Sequence, residues 1–578
     1  MKIVVSAERA RTQMVASKAI EEQIKVNRRI IGRLKREIFG VDKTHRSRYI
    51  REFLSEFKRF KRICPASEVV DAAARSDIVY FGDYHPLDSS QDWVLRLMRE
   101  LTSRGRRVVL ALEMLYVQQQ QSLDRWMKGA ISEAEFLEEI EYQSEWGFSW
   151  RSFKRIFALA KDPFIPIFGI DAEPRDHLRS IGRRDRLAAQ RIGTIRSFFP
   201  HHTILVVVGE SHLASSHLPA EVRRALGKRF RETVIVQNMD DIYWQLLRRG
   251  KEDAEAVVID RSRFCIFTTS PMLKYEAYRD TIDRWMDGDV EDRTTHVIHE
   301  MIDGIFLFLK VSKRSFRVTI RPEWRVPLEA VYPEVHCRKT YHAFSSYLRG
   351  RRVSAAAASA ALESIRSHGM AYVPNLNTFL VLRFDPSTAA REAARFAVTV
   401  MRDALAEGKI RHLNRRDAFY TAVIDEALAC FGSKIVNPTQ DCLKADLLMQ
   451  ALDARGEVRS SVHRRTLAET REAARLFKAA IEREHPLRIL RGAVEEDRLP
   501  SLGLRKRMLL VRALGNRLGE AMYHSFHAGK LKRRDIVELC RGPVGTRPAE
   551  ERYRELLERS GAIGRSPFAR DDAGSFFV

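Results

Sequence analysis

Thr203-Ile204-Leu205-Val206-Val207-Val208-Gly209-Glu210-Ser211-His212 is an apolar, β-branched run that stops at a glycine and delivers a carboxylate and an imidazole. Such a run reads as a buried strand that ends at a chemically equipped edge. The pattern recurs upstream in Asp77-Ile78-Val79-Tyr80-Phe81-Gly82-Asp83-Tyr84-His85. Two strands closing on Gly-acid-x-His carry more weight than one, because a glycine after a strand is common by itself.

Working outward from these two stretches, apolar runs alternate with helical periodicity from about Ser76 to Ser270. Val108 to Leu112 ends in Glu113, and Phe164 to Ile170 ends in Asp171. Helices are expected near Ser90 to Ser103, from Gln118 to Ile140 with a break at Gly129-Ala130, up to Ala160, and from Asp176 to Phe199. Ser132 precedes Glu135 at capping-box spacing, so the interrupted helix restarts there. Val234 to Val236 and Phe264 to Phe267 are further short runs. This alternation predicts an α/β domain with a mostly parallel sheet and helices on both faces. In such sheets ligands bind beyond the carboxyl ends of the strands. Asp83, His85, Glu113, Asp171, Glu210 and His212 should therefore gather along one rim. No glycine-rich phosphate fingerprint follows any strand, which argues against a nucleotide.

The flanks read differently. Residues 1–65 are basic, with Ile30, Ile31, Leu34 and Ile38, then Phe53, Leu54, Phe57 and Phe60, at helical spacing. They are expected to form amphipathic helices that pack on the main domain or lie on an acidic partner. The α/β domain is assigned to 66–270, and 271–578 to a mainly helical domain, with helices over 351–367, 387–408, 460–485 and 503–525 and a short strand from Phe379 to Phe384. His296, His299 and Glu300 share a helix face in an order that matches no zinc-protease motif, so a structural or surface role is expected.

A chain of 578 residues should hold more than one core. Its 45% hydrophobic and 30% charged residues are those of a globular protein. The formal charge of +24 favours contact with polyanions without fixing one. Six scattered cysteines, none in a CxxC pair, exclude a zinc ribbon and a disulfide framework. With neither a signal-peptide core nor an apolar run long enough to span a bilayer, a cytoplasmic location is expected.

Two histidines with a carboxylate from a neighbouring strand, His85, His212 and Glu113 with Asp171 nearby, form a ligand set for a divalent transition metal. Without metal the same groups suit general acid-base work. In a hydrolase, Glu210 or Asp83 would be the base. Trp146, Phe148 and Trp150, with Tyr84, Tyr116 and Trp126, offer an aromatic lining for a large flat ring such as a porphyrin, and a tyrosine phenolate or an imidazole can ligate haem iron.

Phe81-Gly82-Asp83-Tyr84-His85, Leu112-Glu113-Met114-Leu115 with Gln119-Gln120 and Leu123 to Trp126, the Trp146 to Trp150 patch, Arg184-Asp185 with Ala188-Ala189, and Val208 to Leu213 resemble, in order, the ChaN-like haem-binding domain. The resemblance spans about residues 66–270. It implies membership of a superfamily that includes TIKI and TraB proteins and erythromycin esterases. On the lipoprotein side it implies haem binding and iron uptake, and on the esterase and TIKI side hydrolysis of an ester or amide bond. The positions carried over are His85, Glu113, Glu210 and His212. Asp83 stands where the family generally has Glu, and Asp171-Ala172-Glu173-Pro174 replaces an Asn-x-Pro ending, adding negative charge that favours a cation. Haem and a divalent metal both remain open, as does a third reading in which the basic helices carry the function and the rim is vestigial.

Overall fold

Residues 78–83, 108–116 and 203–209 are buried along their length, save for half-exposed Gly209, and send alternate side chains to opposite faces of one sheet, as period-2 backbone geometry requires. The computed structural model describes residues 2–41, 47–161, 165–173, 175, 181–227, 230–285, 290–312, 317–321, 324–327, 332–338, 340, 341–351, 353–406, 414–440, 442, 471–477, 503–540 and 548–562. The chain divides into two compact units, residues 31–288 and residues 1–30 with 289–578.

In the first unit, β1 (Arg62–Cys64), β2 (Ile78–Asp83), β3 (Val108–Tyr116), β4 (Ile167–Asp171), β5 (Thr203–Gly209), β6 (Glu232–Gln237), β7 (Ala256–Val258) and β8 (Arg263–Ile266) form one sheet in the order β1-β7-β8-β6-β2-β5-β3-β4. All neighbours from β8 to β4 are parallel, and β7 is antiparallel to β1 and β8. The expected mostly parallel sheet is present. Its antiparallel corner is built from strands too short to show a period.

The helices of this unit are the second part of α1 (Lys2–Val41), α2 (Arg48–Glu56), α3 (Ala66–Ala74), α4 (Asp88–Ser103), α5 (Gln120–Met127), α6 (Glu133–Glu139), α7 (Tyr142–Glu145), α8 (Trp150–Lys161), α9 (Ile181–Phe198), α10 (Leu218–Leu226), α11 (Asp240–Arg248) and α12 (Pro271–Trp285). On one face Val79, Phe81, Leu110 and Val207 pack with Val70 of α3, Met98 of α4 and Phe157 of α8. On the other, Ile78, Tyr80, Val206 and Val208 pack with Phe57, Ile192 of α9, Val222 of α10 and Ile242 of α11. Both faces are covered, which is why these strands read as unbroken apolar runs. The restart at Ser132 is a capping box, Ser132 Oγ accepting from Glu135 N–H and Glu135 Oε2 from Ser132 N–H.

The unit boundaries fall away from residues 65 and 270, for reasons visible in the packing. Phe53 and Phe57 join the sheet core, and β1 pairs with β7. At the other end Lys274 of α12 reaches Glu210. The first part of α1 belongs instead to the other unit, where Gln23 donates to Lys434 O (2.7 Å) and Asn27 to Ile435 O (2.7 Å).

That second unit is helical, as expected, with α13 (Val290–Leu309), α14 (Tyr341–Arg349), α15 (Ala355–His368), α16 (Pro386–Ala406), α17 (Arg415–Val436), α18 (Leu504–His527), α19 (Arg533–Cys540) and α20 (Ala549–Ser560). The helix expected over 460–485 is described only at 471–477. Two small sheets were not anticipated: β9 (Arg317–Arg321) with β10 (Trp324–Pro327), and β11 (Glu334–Cys337), β13 (Thr378–Val381) and β12 (Met370–Val373) in that order. Of these only β13 carried a sequence signal. His299 Nε2 donates to the Pro333 carbonyl oxygen (3.0 Å). Among the described residues no helix is long and apolar enough to cross a membrane.

Candidate functional site

The register of β2 on β5 pairs Gly82 with Val208 and Asp83 with Gly209, so the two Gly-acid-x-His turns leave the sheet side by side. Glu113 arrives beside them through an irregularity in β3. Leu112 pairs with Gly169 and Tyr116 with Asp171, so β3 spends more residues than β4 over this span. Gly169 permits it, since a Cβ there would lie 2.6 Å from the Tyr116 carbonyl oxygen. Gly209 has a different duty. A Cβ on it would stand 3.3 Å from His85 Nε2 and 3.4 Å from Glu113 Oε2.

Asp83 keeps the strand's alternation and points into the core beneath α4, 2% exposed. Its Oδ1 accepts from Ser90 Oγ and from Gln91 Nε2 (2.7 Å), and its Oδ2 from His85 Nδ1 (2.7 Å). A carboxylate on Nδ1 fixes the imidazole's orientation and leaves the Nε2 lone pair outward. Glu113 Oε2 lies 4.0 Å from that Nε2, beyond hydrogen-bond reach. The ring of His85 lies against Trp146 (4.5 Å between centroids) and Phe148 (5.0 Å), and Trp285, 46% exposed, continues the aromatic surface from Phe148 (5.2 Å). Trp146 Nε1, Tyr142 Oη and Gln91 Oε1 are buried here without a hydrogen-bond partner among the described residues.

His212 is committed elsewhere. Its Nδ1 donates to Asp185 Oδ1 (2.5 Å) and its Nε2 to Glu113 Oε1 (3.1 Å). Burial works against its charge, but Glu113 and Asp185 outweigh this and push its pKa up to about 10. Asp185 is also held by the Tyr49 hydroxyl, and Tyr49 stacks on His217 (3.5 Å). Glu113 further accepts from Gly209 N–H (2.5 Å) and Arg184 (2.8 Å). Although burial raises its pKa, the His212 and Arg184 cations hold it well below the usual carboxylate range. Asp171 is clamped by Arg184 through two 2.7 Å bonds and by Arg175 at 2.7 Å. The space enclosed by Glu113, Asp171, Arg184, Asp185 and His212 is about 10 Å³, room for one water-sized group.

The remaining candidates face away. Glu210 accepts from Gln237 N–H (2.9 Å) and Lys274 (3.2 Å), and burial raises its pKa despite Lys274. Lys274 also lies over the Tyr84 ring (4.6 Å). Tyr116 donates its hydroxyl to Glu145 beneath the Arg175 guanidinium, 4.1 Å from its ring centroid. The structure thus brings His85, Glu113 and His212 to one edge, keeps Asp171 there as an arginine anchor, and turns Glu210, Tyr84 and Tyr116 to other partners. One donor atom each from His85, Glu113 and His212 does not fall within 4.8 Å of the others. Arg184 and Asp185 were visible only as part of the motif run. Tyr49, Ser90, Gln91 and Lys274 gave no signal.

Residues 69–193 match the family model described as haem-binding uptake, Tiki superfamily, ChaN. A solved structure described as cofacial haem binding to ChaN of Campylobacter jejuni is 12% identical, covering 30% of this chain and 87% of that chain with a TM-score of 0.23. No curated protein matches. The α/β unit is ChaN-like in sequence over the matched segment, and the helical unit lies outside the match.

Proposed function

We propose that the α/β unit binds haem against the aromatic wall beside β2, with His85 as the imidazole that would hold the iron. The observation that carries this is the state of His85. Its Nδ1 is fixed by Asp83 at 2.7 Å, its Nε2 makes no hydrogen bond among the described residues, and its ring lies against Trp146 and Phe148. An imidazole oriented by a carboxylate is a prepared metal-ligating group, and an apolar aromatic wall suits a macrocycle. The 10 Å³ enclosed space cannot admit a porphyrin, so the ligand belongs on the wall rather than within the rim. The family match supports the ligand class.

A divalent ion held by His85, Glu113 and His212 fits less well. His212 presents a proton to Glu113, and the Arg184 guanidinium already sits where the metal's charge would be needed. With Asp83 and Glu210 both tied to other partners, neither is placed as the base of a hydrolase.

The test is a titration of the full chain with ferric haem, followed by the Soret band. Wild type is expected to bind saturably. His85→Ala should alter the band and weaken binding by about tenfold or more, or ~1.4 kcal/mol, with the far-ultraviolet dichroism unchanged. An unaltered spectrum and affinity in His85→Ala would sink the assignment, as would stoichiometric manganese or zinc in a preparation that takes up no haem.

A further inference from the structure

Three buried donor side chains remote in the sequence meet inside the helical unit. Cys430 stands on α17, Glu520 on α18 and Cys442 beyond the end of α17, and one donor atom from each lies within 4.8 Å of the others. A tetrahedral zinc-type ion holds two thiolates and a carboxylate about 3.5–3.8 Å apart, so the three need close by no more than about 1.3 Å.

The packing explains the convergence. Gly519 precedes Glu520 on α18, and a Cβ on it would lie 2.6 Å from Cys430 Cβ and 2.9 Å from Cys430 Sγ. The missing side chain lets α18 approach α17 closely enough to seat that thiol. Cys442 is pinned to α18 through its backbone: its N–H donates to Glu520 Oε1 (2.9 Å), and its carbonyl oxygen accepts from Asn516 Nδ2 (3.0 Å). The sulfurs make only the long contacts of weak donors, Cys430 Sγ to the Asn516 carbonyl oxygen (3.8 Å) and Cys442 Sγ with Ser433 Oγ (3.9 Å). Glu520 Oε2 takes the buried Lys434 ammonium at 2.8 Å, which also donates to Gln440 O (2.9 Å). Both carboxylate oxygens keep lone-pair capacity for a further partner.

Charge decides which ion fits. With both thiols protonated, Glu520 and Lys434 cancel and the cluster is neutral. When a divalent ion displaces the two thiol protons, two thiolates and one carboxylate stand against Lys434 and the doubly charged ion, and the cluster is neutral again. Neither state leaves an uncompensated buried charge, the costly case. A cuprous ion would leave one negative charge over, and calcium or magnesium calls for oxygen donors. Two sulfurs and one oxygen are a zinc-type set, with a fourth tetrahedral position left for water. Arg391 of α16, 1% exposed, stands beside the cluster. Its Nη1 is held by Glu426 and by Asn516 Oδ1 (2.7 Å), while its Nε has no hydrogen-bond partner among the described residues. The guanidinium interacts electrostatically with Cys442 and Cys430, so thiolates at these positions face a fixed cation.

We infer that Cys430, Cys442 and Glu520 hold one divalent transition ion of the zinc class, which fastens the segment after α17 onto α18. The ChaN-like match ends at residue 193, so the site is independent of the haem reading.

The experiment is titration of the full-length protein, stripped of metal by a chelator under reducing conditions, with cobalt(II) as a coloured stand-in for zinc. One equivalent should give a thiolate-to-cobalt charge-transfer band in the near ultraviolet together with the visible bands of a tetrahedral ion, and added zinc should erase both. Cys430→Ser and Cys442→Ser should each bind cobalt at least about tenfold more weakly and show a weaker charge-transfer band, with the helical dichroism as in wild type. Should Cys430→Ser not fold, Cys442→Ser, which lies outside α17, carries the test. Cobalt at the rim would meet only imidazole and carboxylate and give no thiolate band, so the two places are told apart. Absence of the thiolate band in wild type, undiminished band and affinity in either serine variant, or recovery of Cys430 and Cys442 as a disulfide from protein held in air with one equivalent of zinc would each overturn the inference.

Discussion

Replacing Arg184 by methionine removes the cation on which the rim's buried acids depend. Arg184 is 8% exposed and makes three charge-assisted bonds, two to Asp171 at 2.7 Å and one to Glu113 at 2.8 Å. Methionine keeps most of the apolar stem, so the loss is chiefly electrostatic. Breaking a buried pair by deleting one partner costs about 3–5 kcal/mol. The lower end applies, because Asp171 retains Arg175 and Glu113 retains the Gly209 N–H and His212. A loss of about 3 kcal/mol corresponds to a fall in Tm of roughly 6–12 °C for a unit of this size. Scanning calorimetry at pH 7 would measure it, and a double-mutant cycle with Asp171→Asn should return a coupling of at least about 1 kcal/mol. A variant within about 0.5 kcal/mol of wild type would refute the reasoning, because it would mean that the ion pairs of Arg184 with Glu113 and Asp171 do not hold this edge of the fold.

Stability should also depend on pH through His212. The native imidazole keeps its proton to about pH 10, whereas an unfolded histidine releases it near 6.5. The contribution is therefore full below about pH 6.5 and falls, by up to ~1.4 kcal/mol per pH unit, as pH rises toward the folded pKa. Urea unfolding at pH 6, 8 and 9.5 should show this slope in wild type and lose it in His212→Gln. Gly209→Ala tests the space beside His85. With φ of −54° the backbone accepts alanine, so Tm should change by only a few degrees. Its Cβ, 3.3 Å from His85 Nε2, should weaken haem binding by about tenfold, and an unchanged haem titration would show that Nε2 is not the ligating atom.

How far the fold could be read depended on how local its causes are. β2, β3 and β5 were legible because each is buried on both faces and so carries an uninterrupted apolar run. β1, β7 and the small sheets of the helical unit are three to five residues long and have no room to display a period. The split of α1 between units at Ile30 and Ile31 was not legible either, because buried apolar residues run along α1 on both sides of it, Val26 and Ile30, then Ile31, Leu34 and Ile38.

The site was half legible for a similar reason. Adjacent Gly-acid-x-His turns follow from the parallel register of β2 and β5. The direction of Asp83 was available too: it has the parity of Val79 and Phe81, which face α4, so it had to point inward to Ser90 and Gln91. What could not be read is the set of cations. The acids at the strand ends suggest a rim that attracts a positive ion, but Asp171 is answered by Arg184 and Arg175, Glu113 by Arg184 and His212, Asp185 by His212, and Glu210 by Lys274. Apart from Arg175, four residues after Asp171, those partners lie 13 to 99 residues away, so no local spacing announces them. With Arg175, Arg184, His212 and Lys274 set against Asp171, Glu113, Asp185 and Glu210, and Asp83 met by Ser90, Gln91 and His85, most of the negative charge that favoured a metal ion is cancelled inside the protein. The group left without a hydrogen bond among the described residues is Nε2 of His85, whose ring lies against Trp146 and Phe148, and that difference moves the reading from a metal centre toward a haem ligand.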